Sequence, residues 1–462
     1  MKMKQAQENK EFKQTRIGKI PFEWDIKKIE DIALKVTDGT HDTPKPTETG
    51  VPYITAIHVK DGYINFDKCY FVSEEVHENI YKRCNPEKND LLIVNIGAGT
   101  ATPARVKVDY EFSMKNVALI KPDFRKVDSR YLEAYQLFVK EHLFKRLTSG
   151  GAQPFLSLKE IKKLDIVLPN LEEQQKISSI LSAWGKAIEL KEKLIEQKKE
   201  QKKGLTQHLL TGKIRWNDKE KFSEEEIQQR VEMLNRGEVP EGYVNNGFGI
   251  YPAEWNITRF DELFDFNGGY SVSREHLSDK GICYLHYGDI HKFDRSFIDI
   301  QKEYETTPKL DKDIQTIRDQ YFLYDGDIVF ADASEDYDGI GKAITVINER
   351  NIPFIAGLHT IVAKDKGKEI VRDYKKFFTL DFSIRKQMML YATGISVFGI
   401  SRSNIKKIIV SLPSKLEQQK IGELLSLAEL EVKNNERELA LLKQQKKGLM
   451  QLLLTGKVRV KV

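Results

Sequence analysis

The 462-residue sequence lacks the features that mark secreted and membrane proteins. It has three cysteines, Cys69, Cys84 and Cys283, without paired spacing, which argues against a disulfide framework and fits a reducing compartment. No apolar run approaches the roughly 18 residues of a membrane span, and the polar N-terminal stretch has no signal-peptide core. We therefore expect a cytoplasmic protein without a membrane partner.

The common catalytic signatures are also missing. Gly97-Ala98-Gly99-Thr100 lacks the Gly-Lys-Ser/Thr of a phosphate-binding loop, so a tight turn is the better interpretation. No Pro-Pro pair occurs, which excludes the usual amino-methyltransferase motif. Pro122-Asp123 with Glu160-Ile161-Lys162 resembles a nuclease pattern only loosely, because Glu160 fits a surface helix. The sequence therefore predicts no active site, no metal and no cofactor.

A long segment rich in Lys, Glu and Gln occurs twice, at 168–215 and 412–459. The copies align without a gap at an offset of 244 (412 − 168), and 23 of the 48 aligned positions are identical. Each copy opens with Leu-Pro, continues with Glu-Gln-Gln-Lys-Ile, and closes with Leu-Thr-Gly-Lys. Such a repeat determines the architecture, so we interpret the rest of the chain around it.

Both copies have the apolar spacing of a coiled-coil helix, alternately four and three residues. Pro169 and Pro413 suit a helix beginning, and Gly212 and Gly456 suit a C-cap. The seam consists of Ile177, Leu181, Trp184, Ile188, Ile195, Leu205 and Leu209, and of Ile421, Leu425, Ala428, Val432, Leu439, Leu442, Leu449 and Leu453; Lys191, Lys198, Lys202, Asn435 and Lys446 interrupt it. Because one helix cannot bury its own stripe, we expect antiparallel pairing, within one chain rather than between chains.

The regions before the two helices are repeated as well, although they have diverged. Pro21 and Trp24 recur as Pro252 and Trp255 at an offset of 231 (252 − 21). Short β-branched runs predict strands, and 131–147 and 374–390 predict helices. The predicted segments are a disordered or weakly helical tail (1–16), a first domain (17–167), a first long helix (168–215), a linker with a short helix (216–247), a second domain (248–411) and a second long helix (412–462).

The predicted fold class is α/β (α+β). Two mixed α/β domains are separated by two long helices in an antiparallel coiled coil, with an internal pseudo-twofold repeat. A helical frame that stays alike while the domains diverge suggests two recognition units of different specificity at a set distance.

Polar loops at matched places in both domains are the candidate DNA contacts, although each alone could be a plain solvent-facing loop. The candidates are Thr40, His41, Lys45, Asn95, Ser149 and Gln153 in the first domain and Tyr270, Ser271, Ser273, Arg274, Ser334, Lys342, His359 and Ser396 in the second. Candidate contacts for a protein partner are the two helix beginnings, Glu173, Gln174, Gln175 and Lys176, and Glu417, Gln418, Gln419 and Lys420.

Over about residues 17–460 the sequence resembles the specificity subunits of type I restriction-modification enzymes. The resemblance rests on Leu168-Pro169, Glu173 to Ile177, Gln201 to Leu205 and Leu210 to Lys213, on their second copies, and on the two Pro/Trp motifs. It implies two target-recognition domains that each read half of a bipartite double-stranded DNA site. It also implies two methylating subunits, which use S-adenosylmethionine, and two restriction/translocase subunits as partners, with no catalysis by this chain.

Two other functions stay open at this point. A fused restriction-methylation enzyme would need the motifs that the sequence lacks. An orphan anti-restriction mimic of a specificity subunit would share every feature named above, and only its partners would distinguish it.

Overall fold

The computed structural model describes residues 12–461, apart from residues 98, 149–153, 338, 368 and 396. The chain divides into two compact units. Unit 1 holds Met1–Lys193 and Glu436–Val462, and unit 2 holds Leu194–Asn435. Each long helix therefore contributes one half to each unit, and the two units share one plan.

Each unit is built on a mainly antiparallel sheet whose central strands are mostly buried. In unit 1 the strand order is Pro103–Arg105, Leu91–Val94, Val117–Pro122 and Ala33–Asp38. In unit 2 it is Phe264–Gly268, Thr360–Asp365, Ile328–Ala331, Ala343–Ile347 and Phe297–Asp299. The last of these strands runs parallel to its neighbour and extends the plan of unit 1 by one strand.

A three-stranded sheet and three short strand pairs complete the described β-structure of each unit. In unit 1 the three-stranded sheet has the strand order Ser113–Lys115, Val51–Thr55 and Tyr70–Val72. In unit 2 the order is Lys309–Leu310, Ile282–Leu285 and Phe354–Ala356. The pairs in unit 1 are Phe12–Thr15 with Gly18–Pro21, Asp25–Lys28 with Asp165–Leu168, and Val59–Lys60 with Tyr63–Ile64. The pairs in unit 2 are Tyr243–Asn245 with Ile250–Pro252, Asn256–Arg259 with Ile409–Leu412, and Ala333–Ser334 with Phe398–Gly399.

The α-helices pack on these sheets. In unit 1 they are Ile29–Ile32, Glu74–Arg83, Ser129–Thr148 and Leu158–Lys162. In unit 2 they are Asp218–Lys221, Glu224–Asn235, Phe260–Leu263, Tyr287–Lys292, Ile300–Glu303, Arg372–Phe378, Phe382–Leu390 and Arg402–Ile405. Over the described residues, no helix is both long enough and apolar enough to cross a membrane.

Two sequence-based expectations need correction. Residues 12–15, assigned above to a disordered or weakly helical tail, form a strand because the chain turns back at Gly18, which has a φ of +117°. The single helix expected over 374–390 is two helices. The second begins after Asp381, whose carboxylate accepts hydrogen bonds from the Ser383 N–H (2.7 Å) and the Tyr251 hydroxyl (2.9 Å).

The first long helix is Leu171–Leu210 and the second is Lys415–Leu454, 40 residues each. They begin two residues after Pro169 and Pro413 and end before Gly212 and Gly456, whose φ values of +67° and +69° suit C-caps. Every position of the predicted seam is buried or half-buried, including the polar ones. The seam predicted from the spacing is therefore confirmed.

The helices pair antiparallel in both units. In unit 1 Lys446 lies beside Gly185 and Lys191 pairs with Glu438, so residue numbers fall on one helix as they rise on the other. In unit 2 Lys198 pairs with Glu431 and Lys202 with Glu429, in the same sense. The three lysines that interrupt the apolar seam of the first helix thus reach glutamates on the second.

In unit 1 the repeated motifs meet in one cluster around Glu173, called here the clamp. The carboxylate of Glu173, 0% exposed, accepts hydrogen bonds from Trp24 Nε1 at 3.0 Å and from Arg459 Nε and Nη2 at 2.6 and 2.9 Å. The turn at Gly456 packs against Pro21 and Trp24 at a distance that leaves no room for a Cβ atom. The clamp therefore joins the domain, the beginning of one long helix and the end of the other.

Unit 2 builds the same clamp from its own copies. Glu417, 2% exposed, accepts from Trp255 Nε1 at 3.2 Å and from Arg215 Nε and Nη2 at 2.8 and 2.6 Å, while Gly212 packs on Pro252 and Trp255. Burial lowers the pKa of Arg215, but its bonds to Glu417 and Glu254 raise that pKa more, so the net shift is upward. The same five residue types, Pro, Trp, Glu, Gly and Arg, thus form both clamps.

We predict that Arg459→Ala destabilises unit 1, because it leaves the buried Glu173 carboxylate without its cation. Arg459 is itself 40% exposed, so we expect the lower part of the range for such losses, about 1–3 kcal/mol. Urea unfolding followed by tryptophan fluorescence measures the change. The double variant Glu173→Gln/Arg459→Ala should regain part of the loss, since a neutral amide tolerates burial better.

Lys457→Ala is the matched control, since Lys457 is exposed and lies two residues from Arg459. A loss of stability equal to that of Arg459→Ala would contradict a specific role for the clamp.

Candidate nucleic-acid interface

A close backbone approach places two polar loops side by side in unit 1. Gly39 follows the edge strand, and a Cβ atom there would lie 2.0 Å from the Met114 carbonyl oxygen. The Gly39 N–H donates to Val117 O and the Thr40 N–H to Met114 O, both at 3.0 Å. Only glycine allows this approach, which brings the Thr40 loop against Asn116.

Unit 2 repeats the same backbone arrangement. Asp38 pairs with Ala118 and Gly268 with Ile361, so this register makes Gly269 the counterpart of Gly39. A Cβ atom at Gly269 would lie 1.8 Å from the Gly357 carbonyl oxygen, and the Gly269 N–H donates to Thr360 O at 3.1 Å. The shared register also makes His359 the counterpart of Asn116.

Asn116 and His359, called here the tip residues, have φ values of +54° and +56°. This left-handed region favours glycine, and other residues there are uncommon. Each tip residue lies directly before a strand of the main sheet, Val117–Pro122 or Thr360–Asp365. Both units therefore keep a polar side chain at a position where glycine would be the less strained choice.

In unit 1 the tip residue belongs to a hydrogen-bonded chain. His41 Nδ1 lies 3.2 Å from Asn116 Oδ1, and His41 Nε2 lies 3.1 Å from Asp38 Oδ2. Arg83 Nη2 donates to the other oxygen of Asp38. The adjoining groove of unit 1, about 580 Å³, is lined by Thr43, Pro44, Pro46, Tyr53, Thr55, Ala56, Tyr70, Ile96, Gly97, Lys115 and Asn116.

In unit 2 the tip residue opens onto a larger and more cationic groove of about 900 Å³. His359 Nδ1 lies 3.3 Å from Asp332, and its ring packs edge-on against Tyr287 with centroids 5.3 Å apart. Burial raises the pKa of Asp332, and the nearby His359 opposes that rise. The ionisable residues that line the groove are Lys202, His291, Lys292, Arg295, Lys342, His359 and Arg385, with Asp294, Glu335 and Asp336.

The structure brings together some of the sequence-predicted DNA contacts. Thr40 and His41 lie with Asn116, while Ser334, Lys342 and His359 line the groove of unit 2. The Lys342 ammonium donates hydrogen bonds to the carbonyl oxygens of His291 and Phe293. Burial and the nearby Arg385 lower the pKa of Lys342. Lys342 therefore shapes the groove, and its ammonium is already occupied.

Other predicted contacts line neither groove or fall outside the described residues. Asn95 is 2% exposed, so its side chain has almost no surface to offer. Lys45, Ser271 and Ser273 are exposed and Tyr270 is half-buried, whereas exposed Arg274 pairs with Asp289. Ser149, Gln153 and Ser396 lie outside the described residues.

The helix beginnings predicted to contact a protein partner divide into two kinds of position. Glu173 and Glu417 are buried in the clamps, and the Gln174 and Gln418 side chains bind backbone of their own unit. Gln174 accepts from the Asp128 N–H at 2.9 Å, and Gln418 accepts from the Val371 N–H at 2.7 Å. The exposed or half-buried side chains are Gln175, Lys176, Gln419 and Lys420.

Sequence reasoning missed the helix Tyr287–Lys292 and the tip residue Asn116. The helix supplies Tyr287, His291 and Lys292 to the groove of unit 2. Its aromatic and basic spacing, Tyr287 and His291 four residues apart, was the available signal. Asn116 carries no local signal, because only the sheet register places it beside His41.

The fold and its two matched grooves define a protein of two diverged units on one repeated helical frame. The family model described as "Type I restriction modification DNA specificity domain" matches residues 21–199 and 252–444, more than half of the chain. The chain therefore belongs to this family, and the resemblance seen in the sequence is confirmed.

Relatives and solved structures agree with this assignment. The putative type I restriction enzyme MjaX specificity subunit of Methanocaldococcus jannaschii is 25% identical over 468 residues, covering 97% of both chains. The MjaVIII specificity subunit of the same organism is 25% identical over 457 residues, covering 97% of this chain and 96% of that one. A chain from a structural study of complex assembly and conformational transition of the type I R-M system has a TM-score of 0.55 at 14% identity, covering 95% and 99%, which shows a shared fold.

We predict that Gly269→Ala destabilises unit 2 by about 1–3 kcal/mol, because the new Cβ would overlap the Gly357 carbonyl. Thermal unfolding measures this loss. Gly268→Ala is the matched control, since a Cβ atom there meets no atom within 4 Å. Equal melting temperatures for the two variants would show that the close approach is unimportant.

Proposed function

We propose that this chain is the DNA-recognition subunit of a type I restriction-modification complex, and that each unit reads one half of a bipartite, asymmetric DNA site. The observation that carries the proposal is the pair of matched tips. Both units contain the same close backbone approach at Gly39 or Gly269. Beside it they present different side chains, Asn116 and His359, next to different grooves. Two recognition units with different side chains at the tip suit a DNA site whose two halves differ in sequence.

The groove of unit 2 has the chemistry of a nucleic-acid surface. The exposed Lys292 in this groove suits a phosphate oxygen, a contact that positions a protein on DNA without reading its sequence. The exposed His359 and the half-buried Tyr287 line the same groove and suit base edges. In unit 1 apolar and aromatic walls dominate, with Lys115 as the cation of the groove, which suits contact with a thymine methyl group.

The chemical steps belong, in this proposal, to the partners. Two methylating subunits would supply S-adenosylmethionine-dependent adenine methylation, and two restriction/translocase subunits would join for cleavage. The sequence lacks the methyltransferase and phosphate-loop motifs that such steps need. Within the described residues, no group of three or more His, Cys, Asp and Glu side chains is placed to hold a metal ion.

The long helices would set the distance between half-sites and bind the methylating subunits. Each runs unbroken for 40 residues, on the order of 60 Å at 1.5 Å per residue, and gives one half to each unit. For partner contact we propose the accessible positions Gln175, Lys176, Gln419 and Lys420. Their neighbours Glu173 and Glu417 already serve the clamps.

Replacing residues 17–165 with the equivalent segment of another family member should change the bases of one half-site only. The other half-site and the spacing should persist, since unit 2 and the helices are untouched. Single-molecule methylation sequencing of DNA from cells that express the complex measures both. The reciprocal replacement of the second domain is the control, and changes in both half-sites from one replacement would refute the division of labour.

Inserting four residues near Lys191 should change the spacing or abolish binding, with the bases of each half-site unchanged. Four residues add about 6 Å and roughly one helical turn, so a one-sided insertion also shifts the seam against the second helix. A matched insertion near Asn435 in the second helix restores the pairing of seam residues. The double insertion should therefore recover binding, and the methylation map should show a spacing between half-sites that is longer by about two base pairs.

Unchanged spacing in a double-insertion complex that still methylates DNA would show that the helices do not determine it.

A further inference from the structure

The tip residues differ from Asn89 and Ala101, two other described non-glycine residues with positive φ. Five described non-glycine residues have positive φ, namely Asn89, Ala101, Asn116, Asn351 and His359. By the sheet register, Asn89 corresponds to Gly326 and Ala101 to Gly341, and both glycines also have positive φ. At those two places one copy uses the residue that the turn prefers, so a turn alone explains them.

The position of Asn116 and His359 does not follow this rule. Both copies adopt positive φ there, and both carry a side chain with hydrogen-bonding groups. Non-glycine residues in this region are strained by about 1–3 kcal/mol, and such strain concentrates at functional positions. Each tip residue also lines the groove of its own unit. Two independent features, backbone and groove, therefore single out the same pair.

We propose that Asn116 and His359 are the specificity-determining residues of the two units, Asn116 reading an adenine and His359 a guanine in the major groove. This inference rests on the proposed function. Asparagine pairs with adenine through two hydrogen bonds, to N6 and N7. His41 contacts Asn116 Oδ1 at 3.2 Å and thereby orients the amide, leaving Nδ2 and the second lone pair of Oδ1 for the base.

The surroundings of His359 suit guanine. Asp332 lies 3.3 Å from Nδ1 and so favours a proton on that atom. The half-exposed ring then offers Nε2 outward, and a ring that carries a proton on both nitrogens donates Nε2–H to guanine N7 or O6. The neighbouring exposed Lys292 suits a phosphate that flanks such a base.

Asn116→Gly and His359→Gly test the inference, because glycine accepts positive φ and so removes the side chain without backbone strain. We expect each variant to lose preference at one base pair of one half-site, by roughly 5- to 150-fold in relative affinity. Asn351→Gly is the matched control, since Asn351 has a φ of +51° and lines neither groove; it should keep the wild-type site.

Two further variants change the chemistry while keeping a side chain. Asn116→Asp is isosteric and cannot donate to adenine N7, so it should lose the adenine preference. His359→Asn should shift the preference at its base pair from guanine towards adenine. The measurements are methylation mapping in cells and competition binding of the purified complex, with the methylating subunits, against duplexes that carry single base-pair changes.

The outcomes separate the inference from the proposed function. If both glycine variants keep the wild-type preferences, or lose affinity equally for all sequences, the tip residues do not read bases and the inference is wrong. In either case a bipartite wild-type methylation site would still support the proposed function. If the wild-type complex shows no bipartite site at all, the proposed function fails and the inference fails with it.

Discussion

The buried carboxylates of Glu173 and Glu417 are the constraint on which the rest of the structure depends. A carboxylate removed from water is strongly unfavourable unless it is paired and fully hydrogen-bonded. In each unit a tryptophan N–H and an arginine satisfy it. That arginine lies just beyond the end of the other long helix, so the carboxylate is satisfied only when the two helices pair antiparallel. Satisfying one buried charge thus selects the pairing direction and the helix ends together.

Fixed helix ends in turn locate the domains. The clamp tryptophan lies just before the first strand that pairs with the segment leading into the long helix, Asp25–Lys28 with Asp165–Leu168, and Asn256–Arg259 with Ile409–Leu412. From these pairs the chain continues into the main sheet, and the strand that leads into Gly39 or Gly269 ends beside the tip residue. A rigid connection therefore runs from a buried carboxylate to an exposed polar side chain, which is what a reader of DNA bases requires.

The frame was predictable from sequence, whereas of the two tip residues only His359 was. The seam, the proline starts and the glycine C-caps follow local rules of spacing and backbone conformation, and the two copies reinforce each other. Trp24 and Arg459 stood out as repeated residues, but their meeting at Glu173 joins segments more than 400 residues apart, which no local pattern reveals. Asn116 was missed for a related reason. Its hydrogen bond to His41 exists only because Gly39 lets two chain segments approach, and a glycine in a sequence does not indicate which segment it will contact. The prediction of one helix over 374–390 was wrong because the Asp381 side chain caps a second helix that begins at Phe382. A hydrogen bond from the Tyr251 hydroxyl, a tertiary contact, positions the Asp381 carboxylate.

The contrast between frame and tip has a physical reason within this one chain. In the clamps each residue packs against several others, so a change at one leaves an unpaired charge or a cavity, and the two copies keep the same five residue types. At the tips the side chain faces a groove, and the backbone there demands only tolerance of positive φ. Asparagine and histidine, which are enriched among non-glycine residues in the left-handed region, both meet that demand. One frame can therefore present either residue, and two different base-reading side chains on two similar frames are the expected result.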